Sequence, residues 1–320
     1  MGIKKLKRPV LKKLLNRLWF NSRQNGPYRF LVRNWSGITD LNVIAEALST
    51  ETFRSSVRPK ALPVKQAKSI IVLAPHQDDE LIGAGGMMLM AHDNGIAITI
   101  VFVTDGAQNN LTVGGKTLSP AEIVTVRENE ARSVCDQLNA RYECLGVDNI
   151  SMAIDASHIA SLNKLIQETN ADLVLTPWLF DGSRKHRAVN QILMHALSDA
   201  NSVREVWGYQ VNNTPFANGY IDVSEWIEEK ISLLELYTSQ NEGIRRYEHM
   251  TRGLNAWNSR FLPSKNKDQR ERYAEIFFAV PVHEYLSLIK THYLRDMKKT
   301  YFDDKGLITT MSNLQNNAQN

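Results

Sequence analysis

The sequence predicts an α/β fold: a doubly wound, mostly parallel, Rossmann-like sheet with flanking helices, extended by a helical C-terminal region and a basic N-terminal arm. Two observations carry this expectation. The runs SIIVLAP (69–75), AITIVFVT (97–104) and ADLVLTP (171–177) are continuously apolar and rich in β-branched residues. That is the composition of strands buried on both faces. Segments of helical length separate such runs, and strand–helix alternation builds βαβ units with helices on both sides of a parallel sheet. In that architecture a ligand sits beyond the carboxyl ends of the strands.

The elements follow in order. After the strand at 69–75, a helix over Asp79–Asn94 is ended by Gly95, a residue that stops helices. The strand 97–104 comes next, then a long helix over Pro120–Asn139 with Ser119 at its N-cap, where a hydroxyl accepts from free amides of the first turn. RYECLGV (141–147) reads as a third strand, 156–169 as a helix and 171–177 as the fourth strand. HRAVNQILMHAL (186–197) is a helix and REVWGYQ (204–210) a fifth strand. Residues 222–290 read as largely helical. The chain divides into an arm and irregular extension over 1–65, a catalytic-type domain over 66–302 and a polar, Asn/Gln-rich tail over 303–320.

Composition removes several classes. Apolar residues make up 43% and charged residues 22% of the 320, values of a folded globular chain rather than a disordered or fibrous one. The 38 basic and 34 acidic residues are unevenly placed. Residues 1–34 hold ten Lys/Arg and no Asp or Glu, leaving 28 basic against 34 acidic in the remainder. The basic balance belongs to the arm, and no nucleic-acid partner is expected. Cys135 and Cys144 are too few for a disulfide framework and are expected to be buried small apolar residues. No apolar run is long enough for a membrane span. Lys12, Lys13 and Arg17 interrupt any signal-peptide core, and Leu6 stands where myristoylation needs Ser or Thr. A cytoplasmic location is expected. PVLKKLLNRLWF (9–20) has the spacing of a short basic amphipathic helix. Residues 1–27 therefore suit either the inner membrane surface or a protein face.

The densest chemistry is Pro75-His76-Gln77-Asp78-Asp79-Glu80, at the carboxyl end of the first strand. Imidazole and carboxylate bind zinc well, and three protein ligands with one open position make a catalytic site. A neighbouring Asp can take a proton from water. The bland alternative is capping of a helix N-terminus by carboxylates, which leaves His76 unexplained. WLFDGSRKHRAVN (178–190) follows the fourth strand and brings His186 to the same edge. Gly83, Gly85 and Gly86 fall inside the helix, where small residues serve helix–sheet packing rather than a phosphate loop. Trp207, Tyr209, Trp226, Tyr237 and Trp257 are expected in the core or at its rim.

The motif PHQDDE (75–80), VTDG (103–106), Arg127 with Glu130, IDVSEWIEEK with Ser239-Gln240, and RYAEIFF (272–278) come in an order that resembles the PIG-L/LmbE-like family of zinc-dependent N-acetylglucosaminyl deacetylases over about residues 66–280. The resemblance implies a Zn2+ cofactor held by His76, Asp79 and His186. It implies Asp78 as general base and Arg127 as a substrate-sugar contact. The expected partner is an amino sugar or glycoconjugate, with a lipid-linked saccharide as the narrower expectation. The family's second motif is usually His-x-Asp-His; here it is Ser183-Arg184-Lys185-His186. The metal-binding His is kept, while an oxyanion donor has changed, so Lys185 or Arg184 is a candidate replacement. Two other readings stay open: a metal- or glycan-binding module without turnover, and a hydrolase for a different N-acyl group.

Overall fold

The computed structural model describes residue 50 and residues 59–109, 111–113, 115–197, 202–241, 246–263 and 271–295. The expected arm helix, most of the extension over 1–65 and the tail lie outside the described residues. Ten strands are described: β1 (Lys60–Ala61), β2 (Ser69–Ala74), β3 (Ala97–Thr104), β4 (Leu111–Val113), β5 (Lys116–Leu118), β6 (Arg141–Val147), β7 (Leu173–Pro177), β8 (Glu205–Tyr209), β9 (Gly219–Asp222) and β10 (Ala274–Pro281). The helices are α1 (Asp79–Asp93), α2 (Pro120–Gln137), α3 (Ala156–Thr169), α4 (Arg184–Ala196), α5 (Ile227–Glu235), α6 (Tyr247–Asn258) and α7 (Val282–Arg295).

Eight strands form one sheet in the order β1-β9-β10-β8-β7-β2-β3-β6, and β4–β5 is a separate hairpin. β8, β7, β2, β3 and β6 run parallel. β10 alone is antiparallel, to β8 on one side and β9 on the other. The chain moves outward from β2 through β3 to β6, then returns to place β7 on the other flank of β2. The order therefore reverses between β2 and β7, and a crevice opens at such a switch point.

The apolar runs are continuous because each strand feeds two cores. Ile70, Val72 and Ala74 face one cluster with α1, α2 and α5. Ile71 and Leu73 face the other, with α3, α4 and α7. Strand alternation makes this division. Ser119 and Glu122 form a capping box at α2: Ser119 N donates to Glu122 Oε2 at 2.8 Å and Glu122 N to Ser119 Oγ at 3.3 Å.

The C-terminal region is helical at α5, α6 and α7, but it also delivers β10 into the sheet. The run EIFFAV (275–280) is wholly buried and has strand composition, although its helical surroundings hide it in the sequence. Cys135 is buried as expected, whereas Cys144 is exposed, because it lies on the edge strand β6. Among the described residues no helix is long and apolar enough to cross a membrane.

Helix α1 is broken at Ala84 (φ −143°, ψ 17°). A break frees polar backbone groups in a dry interior, where each needs a partner. Lys230 Nζ donates to Ile82 O at 3.0 Å, and Glu275 accepts from Gly86 N at 2.7 Å and Met87 N at 2.9 Å. Lys230 and Glu275 pair at 2.7 Å, both wholly buried. The glycines make the close packing possible: a Cβ on Gly83 would lie 2.1 Å from the Tyr209 ring, and one on Gly86 2.5 Å from Val223.

Candidate metal centre and active-site cavity

The loop after β2 is built from the backbone outward. Asp78 has φ +142°, a conformation that costs a residue with a Cβ on the order of 1–3 kcal/mol. Neighbours hold it there. Asp78 N donates to Glu80 Oε2 at 3.1 Å, and Tyr237 Oη donates to Glu80 Oε1 at 2.5 Å. Thr104 Oγ1 donates to Pro75 O at 2.7 Å, and Arg127 Nη2 donates to Gln77 O at 2.7 Å. The sequence offers Glu80 only as a helix-capping carboxylate and Tyr237 as a core or rim residue, which it is. Their link joins positions 157 residues apart, which no local pattern displays.

The loop turns Asp79 back on His76, with Asp79 Oδ2 3.0 Å from both His76 N and His76 Nδ1. His186, in the first turn of α4 after β7, places Nε2 3.3 Å from the same oxygen. Ligand atoms of His76, Asp79 and His186 lie within 4.8 Å of one another. The three residues named from the sequence as ligands thus meet at the switch point between β2 and β7. Asp78 does not cap α1 with its side chain, so the capping alternative fails for it.

Asp181, to which the sequence reading gave no role, fixes His186 from behind. Its Oδ1 is 3.2 Å from His186 Nδ1. The same carboxylate accepts from Ser183 N at 2.8 Å and from Asn212 N and Asn212 Nδ2 at 2.9 Å each. A carboxylate on one imidazole nitrogen fixes the ring and leaves the other nitrogen to face a metal. Its identity as a partner depends on the loop after β8, which folds over it.

The charges follow from this packing. Burial presses His186 toward its neutral form, but Asp79 and Asp181 prevail and raise it to about 9. Burial and the adjacent Asp79 carboxylate push Asp78 well above the ordinary carboxylate range, with Arg127 opposing them. The Arg127 guanidinium is buried, its Nη2 3.9 Å from Asp78 Oδ2. Burial raises Glu80 to about 7 against its hydrogen bond from Tyr237.

A cavity of about 430 Å³ opens on the triad. All five parallel strands contribute to its wall through the segments that follow them: His76 and Asp79 after β2, Gln108 after β3, Asn149 after β6, Lys185 and His186 after β7, and Asn212 after β8. Asp78, Arg127 and Ser183 also line it. Glu130 accepts from Ser239 N at 2.7 Å and Thr238 Oγ1 at 2.8 Å, which sets the short turn carrying Gln240 into the wall. None of the five aromatics singled out in the sequence lines the cavity; Tyr247, which was not singled out, does. Trp207, Tyr209 and Tyr237 are core residues, while Trp257 is 69% exposed.

Comparison with known proteins agrees with this geometry. The family model described as PIG-L, GlcNAc-PI de-N-acetylase, matches residues 71–197. A diacetylchitobiose deacetylase of Thermococcus kodakarensis is 24% identical over 198 residues, covering 56% of this chain and 72% of the relative. The N,N'-diacetylchitobiose deacetylase of Pyrococcus horikoshii superposes with a TM-score of 0.60 at 19% identity, covering 84% of this chain and 99% of the other. A 4-carboxy-2-hydroxymuconate hydratase of Pseudomonas putida shares the fold with a TM-score of 0.58 at 18% identity, covering 67% and 96%. The strand-end motif, His76, Asp79 and His186 all fall within residues 71–197, the stretch that the PIG-L family model matches.

Proposed function

We propose that the protein is a zinc-dependent hydrolase that removes the acetyl group from an N-acetylated amino sugar or glycoconjugate. The observation that carries this reading is the meeting of His76, Asp79 and His186 on one cavity wall beside the Asp78 carboxyl. The donor set fits zinc: two imidazoles and one carboxylate, with an outer carboxylate on His186, leave a position open to the cavity. Bound zinc supplies a Lewis acid for the acetamide carbonyl and lowers the pKa of a water molecule toward ~7.

The chain's own residues do the rest. Asp78 accepts a proton from the attacking water and returns it to the departing amine nitrogen, while acetate is released. Its strained backbone and the Arg127 contact hold that carboxyl at the cavity wall. In the metal-free protein burial and the Asp79 charge raise its proton affinity, and Arg127 opposes them. Arg127 stands ready for the sugar.

A panel of N-acetylated sugars, assayed for released acetate, tests the reading. Asp78→Asn is expected to lower kcat by ~10²–10⁴ while about one zinc per chain remains, and Asp79→Ala to lose the metal. Acetate release unaffected by Asp78→Asn would remove the assigned base. A second reading, sugar binding without turnover, is favoured by Ser183 and Lys185 in the changed second motif; it predicts binding with no acetate from any member. Other N-acyl donors in the panel test for a different acyl group. The finer proposal of a substrate at the membrane surface rests on residues 1–27, and their removal is expected to abolish liposome binding; unchanged binding refutes it.

A further inference from the structure

The proposed reaction gives the Lys185 ammonium on the cavity wall no part. Lys185 starts from the first turn of α4, after β7, yet its Nζ donates to Asn149 O at 2.5 Å and to Asn149 Oδ1 at 2.7 Å. Asn149 follows β6, three places along the sheet from β7. The side chain therefore leans away from the triad, which sits between β2 and β7, toward the far wall. Asn149 is itself fixed there: its Nδ2 donates to Ala107 O at 2.8 Å, and its N to Asp105 Oδ1 at 3.0 Å. Both contacts to Lys185 are carbonyl oxygens, and no ion pair joins its ammonium to a carboxylate among the described residues.

The charge inventory is unbalanced. Apart from the triad, the charged side chains on the cavity wall are Asp78, Arg127 and Lys185: two cations against one carboxylate. A divalent metal on Asp79 adds a further positive charge. Deacetylation of a neutral sugar develops one negative charge, close to the metal site, and brings none to Lys185, on which the Asp105 and Asp148 carboxylates act without direct contact. A held, half-buried ammonium whose direct contacts are only carbonyl oxygens is complementary to an anion that arrives with the ligand, and such complementarity sets selectivity.

We propose that Lys185, braced by Asn149 and assisted by Arg127, binds an anionic group, phosphate or carboxylate, carried by the amino-sugar substrate. The proposal rests on the amino-sugar reading of the site but not on turnover. Its test is calorimetry on zinc-loaded protein in an Asp78→Asn background, which keeps the ligands intact. The probes are methyl N-acetylglucosaminide, N-acetylglucosamine 1-phosphate and N-acetylmuramic acid. At least one charged probe is expected to bind tenfold or more tightly than the neutral one, and which one does separates phosphate from carboxylate. In the additional Lys185→Met or Lys185→Gln variant the preference is expected to fall to within twofold, with circular dichroism checking the fold. Equal affinity for all three probes overturns the proposal. So does a preference that survives both substitutions, as it would for an anion seated on the metal alone. Acetate release from the wild-type protein judges the deacetylase reading separately: discrimination without acetate would leave this proposal standing and remove that one.

Discussion

Replacing Asp181 by Asn tests whether His186 is a prepared metal ligand. The carboxylate lies 3.2 Å from His186 Nδ1 and is wholly buried. Burial opposes its charge, but His186 and the donors of Ser183 and Asn212 hold it ionised, with its pKa lowered to about 2. Asn keeps the size and one carbonyl acceptor but removes the charge that makes His186 a better donor. Loss of an outer-shell partner typically weakens metal affinity by ~10–100-fold, or about 1.4–2.7 kcal/mol. Zinc affinity measured by chelator competition at neutral pH is expected to fall within that range. Thermal melts of metal-free protein supply the control, because Asp181 also accepts from three nitrogens of Ser183 and Asn212. Asp181→Ala also removes the acceptor of the Ser183 and Asn212 nitrogens, which are only part-buried and can bond water, a net loss of about 0.5–1.5 kcal/mol for each bond, and is expected to destabilise metal-free protein more than Asp181→Asn. Zinc binding by Asp181→Asn as tight as wild type would refute the reasoning.

Further outcomes follow from the same packing. Lys230→Met leaves Glu275 charged and buried beside the break in α1, and breaking such a pair costs about 3–5 kcal/mol; chemical denaturation measures it, and a loss under 1 kcal/mol would mean that the pair does not support the break. Glu80 is raised to about 7, so the folded state binds its proton more tightly than the unfolded state does. Its contribution favours folding below about pH 4.5 and is lost as pH rises toward 7, about 3 kcal/mol in all. Glu80→Gln is expected to flatten that part of the stability profile of metal-free protein; an unchanged slope would contradict the assignment. Gly83→Ala is expected to destabilise the fold by more than 1 kcal/mol, since its Cβ would fall on the Tyr209 ring, and a neutral result in denaturation would show that the ring moves aside.

Much of the sheet was legible because its strands are buried on both faces. Continuous apolar runs such as 97–104 need no knowledge of their neighbours to be recognised. The triad was legible for a topological reason: a motif at the end of the first strand and another at the end of the fourth meet if the sheet reverses between them, as it does. Ser119 could be read because a cap and its helix are adjacent in sequence. What escaped the sequence was contact at a distance. Asp181 acquires its place from Asn212 after β8, Glu80 from Tyr237, and the break in α1 from Lys230 and Glu275. Strand β10 escaped because it pairs antiparallel with β8, outside the alternation that identified the rest. Cys144 was misplaced for a related reason: period-2 reasoning does not reveal that β6 is an edge.

The fold does not by itself select amide hydrolysis, since a hydratase and a deacetylase superpose on it about equally well; fold and function are separable in this way. Addition and hydrolysis both begin with water made nucleophilic near a base, a step for which His76, Asp79, His186 and Asp78 would suffice in either case. The choice of reaction then depends on what is held opposite that water, which is a property of the far wall. Asn149 and Lys185 form that wall through segments after β6 and β7. Lys185 crosses the cavity instead of approaching the triad, so its substitution bears on which molecule is held more than on how water is activated. A change at Lys185 should therefore move KM among substrates that differ in charge, and a change at Asp78 should move kcat for all of them. If Lys185→Met instead lowered kcat equally for neutral and anionic substrates, Lys185 would belong to the chemistry, and the division between the two walls would fail.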